Sequence, residues 1–284
     1  MTEYRPHWWR RPSALFLPPP ILHQRYALDK EIGHGGCARV YRAWDTHQRK
    51  HVVLKRAHFS HRHSTALCYE AEILSTLHHP ALPTFVEYFE EEGRAYLVEA
   101  WMEGTPMKHL RYFELEHVLW IGRRLCGVLA YLHRQHLVHR DIAPGNILLN
   151  LEHQTLSLLD LGLARLSLPS PHLREAPETL QLTAGTPGYV APEQWNEGMV
   201  SPAADIYSLG MVLGCALTDY EPQEVVAVPS FVDLWDDPRN IPSAILPLLA
   251  LLDRMIAWHH EKRPTLSEVS RTLSQIEVHL FGTP

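Results

Sequence analysis

The sequence predicts an α+β chain in two parts, a small β-rich N-terminal lobe followed by a larger α-helical lobe. Three observations lead there. The first hundred residues are mostly short apolar segments of period two. After Gly104 the apolar spacing lengthens to that of a helix. The 284 residues, 45% apolar, suffice for one large domain or two lobes sharing a cleft.

The elements follow in order. "YALDKEIGHGG" and "CARVYRAWD" read as two β segments around a Gly-rich turn, and "HVVLKRA" as a third. "STALCYEAEILSTLHH" carries Leu67, Ile73, Leu74 and Leu77 at helical spacing and stops at Pro80. "FVEYFEEEGRAYLVEA" is a hairpin that turns at Gly93. "EHVLWIGRRLCGVLAYLHRQH" is a long amphipathic helix, with Val118, Ile121, Leu125, Val128, Leu129 and Leu132 near one face. "NILLN" and "LSLLDLG" are short strands. "AADIYSLGMVLGCAL", "SAILPLLALLDRMIAW" and "TLSEVSRTLSQIEVHL" are helices. The division is therefore a tail over residues 1–24 and a domain over 25–280. Its N-lobe is 25–101, its hinge lies near 100–104 and its C-lobe is 105–280. A cleft at that join is the natural place for a ligand.

Composition removes several function classes. Lys and Arg number 26 against 32 Asp and Glu, a net charge of −6, which argues against a general nucleic-acid binder. Cys37, Cys68, Cys126 and Cys215 lie far apart with no C-x-x-C, so neither structural zinc nor a disulfide framework is expected. A reducing, cytoplasmic setting fits. The 20 histidines are scattered without the helix-face spacing and acidic partner of a metal site. No apolar run reaches the roughly 18–20 residues that span a bilayer, so no transmembrane segment is expected. The N-terminal "MTEYRPHWWRRPSALFLPPP" lacks the apolar core of a secretory signal and reads as a flexible Pro-rich tail. Docking through Trp8, Trp9 and Phe16 is the alternative. No pattern specifies an oligomeric state.

A Gly-rich turn and five side chains carry chemistry. Glycines in "GHGGCARV", residues 33–40, let backbone N–H groups approach an anion without Cβ interference. Lys55 ends an apolar strand, and Glu70 sits mid-helix fifteen residues on. A buried lysine aimed at phosphates needs such a carboxylate to hold it. Asp141, on a loop, can accept the proton of an attacking hydroxyl. Asn146 and Asp160 offer hard oxygen ligands, which with phosphate and water suit Mg²⁺. Each residue alone could be a turn or cap residue; their order makes coincidence improbable.

These segments resemble the eukaryotic-type (Hanks-type) protein kinase superfamily, in its bacterial serine/threonine branch, over roughly residues 26–280. "GHGGCARVY" is similar to the Gly-rich loop, "VVLK" to the lysine strand and "HRDIAPGN" to the catalytic loop. "DLG" stands at the DFG position, "APE" (191–193) ends the activation segment, and "DIYSLG" and "KRPT" match two C-lobe signatures. The resemblance implies a bilobal protein-kinase fold that moves the γ-phosphoryl of ATP to Ser or Thr of protein substrates, and self-modification is implied with it. The cofactors implied are ATP and Mg²⁺, with Mn²⁺ as an alternative. Ile32, Gly33, His34, Gly35, Gly36, Cys37, Ala38 and Val40 would cover the nucleotide, and Lys55 would contact its phosphates while paired to Glu70. Ala100 and Met102 would bond adenine through their backbone. Asp141 would be the base, Asn146 and Asp160 the metal ligands, and Thr186 would shape the substrate loop. Glu193 would pair with Arg263, and Asp205 would support the catalytic loop. Thr179 and Thr183 are activation-loop candidates, whose phosphate would meet Arg140.

The sequence also departs from the family pattern. Serine/threonine kinases place Lys two residues after the catalytic Asp, where Ala143 stands. Tyrosine kinases place Arg four residues after it, where Gly145 stands. Losing one such contact costs roughly 10²–10³ in rate. Arg39 or Arg165 is the expected replacement. Ala38 replaces the third loop glycine and Leu161 the DFG Phe. Glu99 falls at the gatekeeper, where a buried carboxylate is costly unless paired; a bond to Lys55 in competition with Glu70 is expected. A pseudokinase that binds without transfer, and a small-molecule phosphotransferase, are the alternatives. The peptide-platform segments "GTPGYVAPE" and "DIYSLG" count against the latter.

Overall fold

The computed structural model describes residues 21–169, 173, 175–176, 185–196, 199–235, 237 and 241–282. The chain divides into two compact units. One comprises Met1–Ala71 and Thr84–Trp101, the other Glu72–Pro83 and Met102–Pro284.

The first unit is built on an antiparallel sheet. Its strands are β1 (Ile21–Leu22), β2 (Tyr26–His34), β3 (Ala38–Asp45), β4 (Lys50–Ala57), β5 (Phe85–Glu91) and β6 (Arg94–Ala100). Their order is β1-β2-β3-β4-β6-β5. Alternation along the strands sorts side chains onto two faces. One face is a core of Tyr26, Tyr41, Ala43, Val52, Leu54, Phe89, Tyr96 and Val98. The other sets Ala57, Ala95 and Leu97 against Leu67 and Ala71 of helix α1 (His61–Thr76). That helix starts earlier than its apolar pattern suggests, because the Ser60 hydroxyl accepts from the His63 N–H (3.2 Å) at its N-terminus.

The second unit is mainly helical. Its short strands are β7 (Thr105–Pro106), β8 (Leu137–Val138), β9 (Ile147–Asn150), β10 (Thr155–Leu158) and β11 (Arg165–Leu166). Its helices are α2 (Leu115–Arg134), α3 (Pro192–Asn196), α4 (Pro202–Thr218), α5 (Pro222–Val225), α6 (Leu246–Met255) and α7 (Leu266–Phe281). Helix α4 is buried almost all round, from Ala204 to Gly214, and so forms the centre of the unit. Ser201 caps it, accepting from the Ala203 N–H, and Pro202 starts it. Helix α2 lies close to α7 and α4 because Gly122 removes the obstacle: a methyl there would be 2.8 Å from Leu273 and 3.0 Å from Leu213.

Two predicted elements are shorter than their apolar patterns. The segment over 243–258 begins as a 3₁₀ turn (Ser243–Ile245) and is α-helical only over α6. Pro247 is tolerated in a first turn and not further in. The segment "LSLLDLG" is a strand only to Leu158, because Asp160 adopts left-handed backbone (φ 64°). No helix among the described residues is long and apolar enough to cross a membrane.

Candidate functional site

The strand period explains the buried charges of the first unit. Lys55 on β4 stands opposite Leu97 on β6, on the face that α1 covers. Helix α1 supplies Glu70, and the Lys55 Nζ donates to Glu70 Oε1 at 2.5 Å. Glu99 follows Leu97 by two residues and so points to the same face. Its Oε1 lies 3.6 Å from the same Nζ, the diagonal reach that long cross-strand side chains have. All three side chains are under a tenth exposed. The lysine therefore faces two carboxylates, Glu70 and Glu99.

The Gly-rich turn joins β2 to β3. The Gly35 N–H donates to the Ala38 carbonyl (2.8 Å), and the His58 N–H donates to the Cys37 carbonyl (2.9 Å). His34, Gly35, Gly36 and Cys37 are exposed, as is Ile32, while Gly33, Ala38 and Val40 are half-buried. None of the three glycines has positive φ. A methyl would meet nothing nearer than 3.9 Å at Gly33 or Gly35, and nothing within 4 Å at Gly36. Neither backbone strain nor packing requires glycine there. Room for a close-approaching group is a physical reason for three bare positions. Ala100 pairs with Val52, and its N–H donates to the Thr84 carbonyl (2.8 Å). Met102 is half-buried and opens the second unit's longer stretch.

In the second unit the loop from β8 to β9 carries Asp141 and Asn146. Asp141 Oδ2 accepts from Asn146 Nδ2 (2.7 Å), and Asp141 Oδ1 accepts from both the Thr186 N–H and the Thr186 hydroxyl (2.7 Å each). The carboxylate is thus aimed by three donors. Asn146 Nδ2 also donates to the Asp141 backbone carbonyl (2.9 Å). With its nitrogen so used, the Asn146 side chain has its carbonyl oxygen to offer elsewhere. The Leu159 N–H donates to the Asn146 backbone carbonyl (2.8 Å), and this brings Asp160, the next residue, to the same loop. Asp160 is exposed, and its Oδ1 accepts from the Gly162 N–H (3.0 Å). A carboxamide oxygen and a carboxylate are hard donors. They fit a divalent cation that completes its shell with phosphate and water. Among the described residues no group of three or more His, Cys, Asp or Glu could hold a metal by itself.

The loop is held from beneath. Asp205 of α4 is fully buried and accepts from the N–H groups of Arg140 (2.8 Å) and His139 (3.0 Å), and from His133 Nε2 (2.8 Å). Burial pushes its carboxyl upward, but the His133 bond, the nearby histidine charges and the backbone N–H of Arg140 outweigh it. The net result lies below the ordinary carboxylate range. Arg140 takes left-handed backbone (φ 69°), and its carbonyl accepts from Gln194 Nε2 (3.1 Å). Glu193 and Arg263 form a buried two-pronged pair at 2.6 and 2.8 Å, and Arg263 also donates to the carbonyls of Ala257, Ala203 and Trp258. His133 and His139 belong to this support; His139 opens the "HRDIAPGN" motif, whereas His133 carries no sequence signal, since scattered histidines look alike until α2, α4 and the loop meet.

One expectation is overturned. Arg165 cannot act as a replacement cation, because it is buried and its Nη1 donates to the carbonyls of Ala164 (2.7 Å) and Gly162 (3.4 Å). Arg39 is exposed on β3, with Glu31 at 3.5 Å. Arg140 is fully buried. Thr179 and Thr183, and Trp8, Trp9 and Phe16 of the tail, lie outside the described residues.

Comparison with known proteins shows the family of the chain. The protein kinase domain family model matches residues 26–273. The serine/threonine-protein kinase PknA of Nostoc sp. is 30% identical over 261 residues, covering 86% of this chain and 46% of that protein. The DNA damage-responsive serine/threonine-protein kinase RqkA of Deinococcus radiodurans is 30% identical over 260 residues, covering 87% and 38%. The serine/threonine-protein kinase PLK2 of Mus musculus is 28% identical over 263 residues, covering 89% and 37%. The chain spans less than half the length of these relatives.

Proposed function

The chain belongs to the protein kinase domain family, whose members use ATP and a divalent metal ion, and from that premise we propose that it transfers the γ-phosphoryl group of ATP to Ser or Thr of protein substrates, itself among them. The observation that carries this is the triple anchoring of Asp141 by Asn146 and Thr186. A base fixed in this way can receive a short hydroxyl beside Thr186. Names of the relatives support the serine/threonine class.

In this reading the acceptor hydroxyl oxygen forms a bond to the γ-phosphorus. The bond from that phosphorus to the bridging β–γ oxygen breaks, ADP leaves, and the hydroxyl proton passes to Asp141. Lys55, held by Glu70, would draw on the α- and β-phosphates. The open glycines at 33, 35 and 36 would let backbone N–H groups reach them. The backbone of Ala100 and Met102 would bond adenine. Mg²⁺ held by Asn146 and Asp160 would neutralise phosphate charge. Glu193–Arg263 and Asp205 would keep the substrate loop and catalytic loop in place. Residues 25–280 would form the kinase domain, with its hinge near 100–104. Four cysteines outside any disulfide support a reducing, cytoplasmic setting.

The test is mass spectrometry of the purified protein and a generic acceptor after incubation with ATP and Mg²⁺, with Asp141→Asn as control. The expected result is phosphoserine or phosphothreonine from the wild type and a loss of several orders of magnitude in the variant. No phosphoryl gain with wild type, or equal gain with Asp141→Asn, would refute the reading.

A further inference from the structure

The loop after Asp141 offers no cation of its own, since Ala143 and Gly145 occupy the two positions where one is expected. Ala143 is also buried. The structure places a cation beside the loop from a different segment. Residues Met107–His109 form a single 3₁₀ turn directly after β7. That strand pairs with β9, Thr105 opposite Leu149 and Pro106 opposite Leu148. Met107 is buried, and the Lys108 N–H donates to the Pro144 carbonyl (3.0 Å). The turn is therefore fastened to both the strand that follows the catalytic loop and the loop itself.

Lys108 projects from this turn across Gly145. A methyl group added to Gly145 would lie 3.7 Å from Lys108 Cδ and 4.0 Å from its Nζ. The ammonium group thus stands where a side chain at position 145 would emerge, and a long side chain at 145 would have to displace the Lys108 stem. Gly145 is bonded to Asn146, whose amide holds Asp141. Lys108 is exposed, so its charge is available to a substrate. The other basic groups near this loop are buried or bonded. Arg140 and Arg165 are buried, and the two ring nitrogens of His139 engage the Asp141 N–H (3.3 Å) and the Leu159 carbonyl (3.2 Å).

We propose that Lys108 supplies, from outside the catalytic loop, the positive charge on the transferring phosphoryl group that positions 143 and 145 lack. This rests on the phosphoryl-transfer reading above. The physical demand is for charge at a place, and the chain segment that delivers it is free to change. A lysine on a tied turn, with its stem laid over a glycine, meets that demand as well as a loop residue would.

The experiment measures initial rates of phosphoryl transfer by the full chain with Mg²⁺ and ATP, varying ATP and acceptor separately. Acidic casein and a basic histone serve as acceptors. The proteins are wild type, Lys108→Met and the double variant Lys108→Met/Ala143→Lys, each checked for native circular dichroism. The expected result is a fall in kcat of about 10²-fold for Lys108→Met with either acceptor. KM for the acceptor should stay within about twofold. In the double variant at least tenfold of the lost kcat should return, because Lys at 143 restores the charge by the usual route. Unchanged kcat in Lys108→Met would overturn the proposal. A change confined to KM for casein would also overturn it, assigning Lys108 to acidic peptide recognition instead. A double variant as slow as Lys108→Met is a third contrary result. Wild type inactive on both acceptors would remove the phosphoryl-transfer reading and this inference with it. That outcome is distinct from an active wild type whose rate ignores Lys108.

Discussion

Glu99→Gln should tighten ATP binding about tenfold. The substitution keeps the shape of the side chain and removes its charge. In the wild type, Lys55 Nζ lies 2.5 Å from Glu70 and 3.6 Å from Glu99, with all three groups buried. At an effective dielectric of about 20, the Coulomb attraction is about 6.6 kcal/mol to Glu70 and about 4.6 kcal/mol to Glu99. Both are upper bounds, since desolvation opposes them. Glu99 offers Lys55 a second carboxylate, so phosphates must compete with it for the lysine. Recovering about a third of that attraction, about 1.4 kcal/mol, corresponds to a tenfold change in Kd. Isothermal titration calorimetry with Mg²⁺ and ATP would measure it, with Asp141→Asn present in both proteins so that nothing turns over. A Kd within twofold of the parent would refute the competition. Weaker binding would show that Glu99 positions Lys55 instead of competing for it. Glu70→Gln is the opposing control and should weaken ATP, because the remaining partner then holds Lys55 from the other side.

Three more predictions follow from the second unit and the thiols. Thr186→Ala removes one of the donors that aim Asp141 but leaves the backbone N–H. It should lower kcat about tenfold, and Thr186→Ser should restore most of it in a steady-state assay. Asp205→Ala strands two buried backbone N–H groups and His133, a loss of roughly 3–5 kcal/mol, readable as a shift in urea midpoint. Because the Asp205 carboxyl sits below the ordinary range when folded, its stabilisation is complete above the unfolded value of about 3.9 and is lost as pH falls through the folded value. The acid limb of the wild-type stability curve should therefore flatten in Asp205→Asn. Burial pushes the thiols of Cys126 and Cys215 up to about 12, leaving a thiolate fraction of about 10⁻⁴ at pH 8. Ellman's reagent should modify exposed Cys37 first and these two only on unfolding. Fast labelling that persists in Cys37→Ser at the full rate would contradict this.

Much of the fold could be read from periodicity. The strands around the Gly-rich turn, the hairpin at Gly93 and the helices α2, α4 and α7 all follow apolar spacing, because that spacing sets which face is buried. Ends were harder to read. Pro247 moves the start of α6 and left-handed Asp160 ends a strand early, effects of single residues that apolar patterns do not register. At the site, Asp141 and Asn146 are local in sequence, so both were legible as candidates, while the hydrogen bond between them was not. Placing the replacement cation on Arg165 was an error of the same origin: position along the chain says nothing of whether a guanidinium is bonded to its own backbone carbonyls.

By itself the sequence determined the types of polar group present: a loop carboxylate, two hard oxygen donors, a lysine with a carboxylate, and a Gly-rich turn. Tertiary structure alone decided which distant groups share a neighbourhood. Glu99 meets Lys55 only once β4 pairs with β6 in one register, and Lys108 lies over Gly145 only once the turn after β7 bonds to Pro144. Such contacts depend on pairing and packing between segments far apart in the chain, and residue order does not encode those distances directly.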